Sequence, residues 1–418
     1  MKVAVVGGGS TYTPELVDGF ARLAGQLGIE EIALVDPAAE RLSLIGPLTE
    51  RIFARHGYPV KVSWTADVEE GASDASIVVI QLRVGGQEAR ISDETIPLPC
   101  GCIGQETTGA GGLAKALRTV PVVRELARVA AKVAAPNAWV VDFTNPVGIV
   151  TRALLDDGHR AVGLCNVAIH LARRFAAMLD VEPERVRLDH VGLNHLTWER
   201  AVTVDGVDRL PELLDTRLAE IAAEVNLPPA VLAMSGSVPS YYLRYFYSHD
   251  LVLEEQLAGD IRGRKVADIE AELLELYADP ALDTKPELLT QRGGAFYAEA
   301  AVGLIASLSG ADGLHSANVR NDGTLPFLSD ETVIETTCSV GVDGAVPLAT
   351  APLTPEQRGL VAHVSAYEEL ALQAAIHGGR ERVYRALLAH PLIGQHKQAD
   401  RLADLLIAAN VDHLPWAR

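Results

Sequence analysis

Val3-Ala4-Val5-Val6 runs without interruption into Gly7-Gly8-Gly9-Ser10-Thr11, and a helical pattern opens directly afterwards at Thr13-Pro14-Glu15. Proline suits the first turn of a helix, where its missing N–H costs nothing. The unit therefore reads as strand, glycine turn and helix. Further apolar runs follow at Glu31 to Asp36, Lys61 to Trp64, Ser76 to Gln81, Trp139 to Thr144 and Ala161 to Leu164, separated by longer amphipathic segments. Short continuous apolar runs between helices indicate strands buried on both faces, hence a parallel sheet. The expected fold class is α/β, a doubly wound Rossmann-like parallel sheet.

The pattern changes after Glu184. Arg185 to Gly206 alternates partially and contains two glycine breaks, which suggests antiparallel strands. From Leu210 onward helical periodicity dominates, with helices expected at Lys265 to Asp279, Thr290 to Ser307 and Pro355 to Ala375, and a short strand at Thr332 to Val340. A chain of 418 residues accommodates two or three cores. We expect a first domain over 1–184 and a mainly helical α+β substrate region over 185–418, fused compactly.

No apolar run approaches the roughly 18 residues of a membrane span. A net charge of -19 argues against nucleic acid as a partner, because phosphate neutralisation requires a basic surface. An anionic small molecule would need a few arginines to outweigh that field locally. Cys100, Cys102, Cys165 and Cys338 are too few and too scattered for a disulfide framework. The opening apolar stretch is too short for a secretory segment, so a soluble, cytoplasmic protein is expected.

Glycines after a first strand let the backbone approach a pyrophosphate, and the following helix N-terminus favours the anion. Gly7, Gly9, Ser10 and Thr11 are thus candidates for binding a dinucleotide. The third glycine of the usual fingerprint is missing, and a purely structural tight turn is the competing reading. Asp36 ends the second strand, where a carboxylate accepts from a ribose 2′-hydroxyl and repels a 2′-phosphate, favouring NAD over NADP. Its alternative role is to cap the helix after Pro37.

Three other segments end strands or occupy glycine-rich loops: Asp142-Phe143-Thr144-Asn145-Pro146, Gly163-Leu164-Cys165-Asn166 and Gly192-Leu193-Asn194-His195. Strand ends form the ligand crevice of doubly wound sheets. Cys165 and His195 could meet there as metal ligands. Taken singly, each is more often a packed thiol or a hydrogen-bonded core histidine.

Together with Val6 to Leu16, Arg83-Val-Gly-Gly86 and Gly104-Gln-Glu-Thr-Thr-Gly109, these segments resemble glycoside hydrolase family 4, in order, from Met1 to about Ala300. That family is the NAD-dependent exception to two-carboxylate glycosidase chemistry. The resemblance implies hydrolysis of 6-phosphoglycosides with NAD and a divalent metal, typically manganese, and assembly as homodimers or homotetramers. NAD would take hydride from C3 and acidify the C2 proton. Metal held by Cys165 and His195 would polarise the C2 and C3 oxygens. A base would take the C2 proton, the aglycone would leave, water would add, and the hydride would return.

Carried over residue by residue, the base falls on Tyr242, whose competing reading is helix-face packing within Tyr241 to Tyr247. Asn145 and Asn166 would bond sugar hydroxyls. Arg90 and Arg292 would meet substrate oxygens or the 6-phosphate, with solvated surface arginines as the alternative. Arg83 would contact cofactor or substrate, and Glu106 would order the nicotinamide or a metal-bound water unless it is a plain loop carboxylate. Family members acting on α-glycosides tend to carry Asp after the Cys-Asn pair. Val167 stands there, which points to a β-linked phosphorylated disaccharide or β-glucoside and leaves the general acid unassigned. Cys100 and Cys102 read as incidental thiols. The rivals are an α-glycoside or unphosphorylated galacturonide specificity, an NAD-dependent 2-hydroxy-acid dehydrogenase, and a non-catalytic NAD-sensing module.

Overall fold

The computed structural model describes residues 1–58, 60–293 and 296–418. The expected strands form as β1 (Lys2–Val6), β2 (Glu31–Val35), β3 (Lys61–Thr65), β4 (Ile77–Ile80), β5 (Trp139–Asp142) and β6 (Ala161–Gly163). They pair in parallel in the order β3-β2-β1-β4-β5-β6, the doubly wound arrangement, whose winding reverses between β1 and β4. Their side chains alternate between two cores. Val3, Val5, Ile77 and Val79 join one cluster, while Ala4, Val6, Val78 and Ile80 join the other. Burial on both faces is why these strands lack polar alternation.

The sheet continues beyond β6. It takes in β7 (Val186–Leu193), β8 (Leu196–Val204), β9 (Val207–Asp208), β10 (Val238–Pro239), β11 (Gly313–Arg320), β12 (Val333–Gly341) and β13 (Gly344–Pro347). The order from β6 is β11-β12-β7-β8-β10, all antiparallel, within a single 13-stranded sheet. The change of pattern at Glu184 thus coincides with the change from parallel to antiparallel pairing.

One expectation needs correction, and one strand went unforeseen. The helix read over Thr290 to Ser307 is two helices, Leu289–Arg292 and Tyr297–Leu308. Gly293 adopts φ 97° and Phe296 φ 64°, values that a continuing helix cannot contain. Gly294 and Ala295 of that expected helix lie outside the described residues. Strand β11 escaped the sequence reading because Gly-Leu-His-Ser-Ala-Asn-Val-Arg has little apolar periodicity. No helix of the described residues is long and apolar enough to cross a membrane.

Candidate active site

The glycine turn sits at the carboxyl end of β1, beside the winding reversal. Gly7 has φ +92°, and a Cβ there would lie 2.2 Å from the Gln81 carbonyl oxygen. A Cβ on Gly9 would lie 2.7 Å from the Asp36 carboxyl carbon. The Gly9 N–H instead donates to Asp36 Oδ2 (3.0 Å), and Asp36 Oδ1 accepts from the Ala38 N–H (2.9 Å). The capping reading of Asp36 needs correction: the residue before helix Ala39–Arg55 is Ala38, with no side-chain cap, and Asp36 instead braces the turn ahead of it while facing the glycine loop. A carboxylate retains further lone pairs for a ligand. Helix Thr13–Leu27 begins directly behind the turn. At the position of the missing third glycine stands Tyr12, whose ring packs edge-on against Tyr297 (6.1 Å). Close helix packing falls instead to Gly19, where a Cβ would lie 3.2 Å from Ala298 and Val302.

A cleft of about 890 Å³ opens over this loop and reaches Asn145, Tyr242 and Tyr297. Gly7, Gly9, Ser10, Asp36, Arg83, Arg90, Glu106 and Arg292 all line it. Six cations face three carboxylates there, so the cleft is positive within a chain of net charge -19. Thr11 is the exception among the loop candidates. It is fully buried, donates to Glu270 Oε1 (3.1 Å) and accepts from Arg292 Nε (2.9 Å). Arg292 Nη2 also binds Glu270 (2.9 Å).

Glu106 is more than a loop carboxylate. It accepts from Arg83 and from Lys115 Nζ (2.7 Å), and Arg90 Nε lies 3.3 Å away. Burial alone would raise its carboxyl, but the charges of Arg83, Lys115 and Arg90 hold it well below the usual range. Burial in turn brings Lys115 down to about 8, against the pull of Glu106. Arg90 is also braced by Glu94 (2.8 Å).

Cys165 follows β6 at the start of helix Val167–Leu179. The backbone N–H groups of Asn166 and Val167 and the Asn194 side chain each favour its thiolate form. Burial and the charge of Glu335 nevertheless push the thiol well above its ordinary value. Donor groups that favour a thiolate make this sulfur a candidate ligand, and a buried thiolate calls for a cation. His195 sits on the adjoining β7–β8 turn with φ 63°. Burial brings its imidazole down to about 4, leaving it neutral at pH 7. Its Nδ1 lies 3.0 Å from Thr107 Oγ1, which in turn bonds Gln105 Oε1 (2.9 Å). That carbonyl oxygen also accepts the Thr108 N–H (2.8 Å) and can only accept, so Thr107 donates to it and receives the Nδ1 proton. The tautomer is fixed with its lone pair on Nε2, the form a metal ligand needs. The donor set thus fits a divalent ion. No third His, Cys, Asp or Glu joins the pair among the described residues.

Tyr242 lies in a short turn, Tyr241–Leu243, rather than on a long helix face. Its ring stacks flat on His195, with centroids 3.6 Å apart and planes at 7°. Burial first, and then the acidic groups beside it, Cys165, Tyr245 and Glu106, push its hydroxyl well above its ordinary value. Asn145 Oδ1 is buried without a partner among the described residues, an acceptor that awaits a donor. Asn166 occupies the residue before helix Val167–Leu179.

Sequence reasoning missed Lys115, Glu270, Tyr297 and Glu335. Lys115 is the first charged residue of the small and apolar start of helix Gly109–Val133, which was a usable signal. Tyr297 donates to the Leu164 carbonyl (3.1 Å), packs on Phe143 (5.5 Å) and so ties the cleft to the Cys165 loop.

Residues 2–181 match the family model described as Family 4 glycosyl hydrolase, and residues 190–393 match its C-terminal domain. The chain belongs to glycosyl hydrolase family 4. It is 36% identical to the probable 6-phospho-beta-glucosidase of Bacillus subtilis (strain 168), over 99% of this chain and 97% of that protein. It is 28% identical to the phospho-alpha-glucosidase PagL of Clostridium acetobutylicum, covering 98% and 97%. The solved 6-phospho-beta glucosidase of Thermotoga maritima with NAD and glucose-6-phosphate superposes with a TM-score of 0.93 at 33% identity, covering 99% of each chain. The same enzyme with manganese, NAD+ and glucose-6-phosphate gives 0.91 at 32% identity. Family membership makes this chain a glycosidase, so its dinucleotide loop belongs to a hydrolase.

Proposed function

We propose that this family 4 enzyme hydrolyses 6-phospho-β-glucosides with NAD and manganese as cofactors. The observation that carries the reading is one cleft that runs from a glycine loop suited to a pyrophosphate to Tyr242, whose ring stacks on His195. The B. subtilis and T. maritima relatives named above supply the substrate class, and the T. maritima structures supply both cofactors. When bound, NAD provides reversible hydride acceptance at sugar C3, and the metal provides Lewis acidity at the C2 and C3 oxygens.

The chain's own residues do the rest. Gly7, Gly9 and Ser10 present backbone to the cofactor phosphates, with Thr11 as the buried support that links the loop to Arg292. Asp36 takes the ribose, and Arg83 faces the cofactor or the substrate. Cys165 Sγ and His195 Nε2 hold the metal. Tyr242 Oη accepts the C2 proton; its phenol becomes competent only with a cation beside it, because burial opposes the phenolate. Asn145 and Asn166 bond sugar hydroxyls, and Asn145 Oδ1 is an orphaned acceptor suited to that task. Arg90 and Arg292 receive the 6-phosphate, and Glu106 holds Arg83, Arg90 and Lys115 in register for the anion. Val167 in place of Asp favours the β-anomer. We assign residues 1–184 to cofactor binding and 185–418 to substrate and metal completion, and expect a cytoplasmic homodimer or homotetramer in which the four free cysteines stay reduced.

Incubation with p-nitrophenyl β-glucoside 6-phosphate, with and without NAD, manganese and reductant, tests the proposal. Nitrophenol release that requires both cofactors, without NADH accumulating, is expected. Release indifferent to NAD, a preference for the α-anomer, or steady NADH formation with a hydroxy acid would overturn it.

A further inference from the structure

Behind the Cys165–His195 corner, the antiparallel half of the sheet carries a row of buried charge. His190 Nδ1 lies 2.7 Å from Glu199 Oε1, and its Nε2 lies 2.9 Å from Glu335 Oε1. Glu335 Oε2 accepts from Asn194 Nδ2 (2.8 Å) and Asn318 Nδ2 (3.1 Å). All three charged side chains are at most 2% exposed. Sheet register builds the row: Gly163 on β6 faces Asn318 on β11, which faces Glu335 on β12, while His190 on β7 faces Glu199 on β8. The row ends two residues before Cys165.

Two carboxylates share one imidazolium, leaving a net negative charge in a buried row, where salt screens it less than it would at the surface. Fold stability alone is a poor reason to bury such a group, since apolar packing commonly serves as well. Glu335 is the member that reaches the corner. Asn194, which it orients through one amide hydrogen, directly precedes His195 in the β7–β8 turn, and its side chain favours the Cys165 thiolate. Glu335 forms no cluster of three His, Cys, Asp or Glu side chains with Cys165 and His195 among the described residues, so it is not counted as a metal ligand.

We propose that Glu335, acting through Asn194, is a positioning residue for the metal site. It aims the amide at the Cys165 sulfur, and the Glu199–His190–Glu335 row supplies the charge that draws in a divalent cation. The inference rests on the reading of Cys165 and His195 as metal ligands. Partners of this kind, one bond removed from a ligand, typically account for about 10–100-fold in metal affinity.

The test is manganese binding to the full-length protein without substrate, read from the loss of the free-ion electron paramagnetic resonance signal. Glu335→Gln keeps the shape of the side chain and removes its charge. We expect about 10–100-fold weaker binding, with NAD binding unchanged. Asn194→Ala leaves Glu335 bonded to His190 and Asn318, so it should fold even where Glu335→Gln does not, and it should lose affinity to a similar extent. With cobalt as the ion, its sulfur-to-metal charge-transfer band should shift, a readout that a merely structural role would not move. Affinity within twofold of wild type in folded Asn194→Ala, with an unshifted band, would overturn the proposal. Failure of the wild-type protein to bind manganese at all would instead remove the ligand reading beneath it.

Discussion

The two halves of the sheet handle charge in opposite ways. On the parallel half, the cleft gathers Arg83, Arg90, Arg292 and Lys115 around Glu106 and Glu270, partly open to solvent and with more cations than anions. On the antiparallel half, His190, Glu199 and Glu335 are almost wholly enclosed and carry a net negative charge. A cationic cleft suits an anion that enters and leaves with each turnover, because its cations outnumber the carboxylates that face them. A sealed anionic row suits a cation that stays, because its geometry cannot relax. Cys165, His195 and Tyr242 lie where the two meet.

That contrast can be broken most forcefully at His190. Replacing it with Ala leaves two carboxylates buried without their cation, which should cost about 3–5 kcal/mol of stability, measured by urea unfolding. The same pairing gives a pH signature. Burial alone would lower the imidazole, yet Glu199 and Glu335 raise it from 6.5 to about 10. A raised value means that the folded protein keeps a proton which the unfolded chain releases. The stabilisation is therefore complete below pH 6.5, falls as pH rises, and is lost above about 10. His190→Gln should flatten this decline; an equally steep decline in the variant would assign it elsewhere.

On the cleft side, effects should appear in affinity and leave the fold intact. Arg292→Ala removes charged hydrogen bonds of about 1.5–3 kcal/mol, so KM for the phosphorylated substrate should rise about 10- to 100-fold. KM for an unphosphorylated analogue should barely change; an equal rise for both would remove Arg292 from phosphate recognition. The smallest effect is expected at Asp36. Its replacement by Ala should weaken NAD binding by about 1 kcal/mol, roughly fivefold, and narrow the preference over NADP, both readable by calorimetry.

The same contrast explains what the sequence made legible. Strands β1 to β6 announced themselves because burial on both faces requires unbroken apolar runs, and the glycine loop because its contacts are local. Cys165, His195 and Tyr242 became readable only through the family resemblance. Glu335 stayed hidden because its partners lie far away along the chain: His190 is 145 residues distant and Asn194 is 141. A charged residue on an alternating strand reads as a solvated face until a neighbouring strand covers it. Glu270 escaped for the same reason, since on helix Arg262–Tyr277 it looks like any exposed carboxylate. Arg292 was a candidate from the sequence, but its pairing with Thr11 and Glu270 depends on a chain reversal that follows no periodicity.

The central claim is that both halves serve one turnover, hydride leaving and returning at C3 while a proton leaves C2. Hydrolysis of a 6-phospho-β-glucoside in D2O, followed by proton NMR of the released glucose 6-phosphate, tests it most directly. The account predicts deuterium at C2 of the product, with no net NADH. Product that retains its C2 hydrogen in full would contradict it.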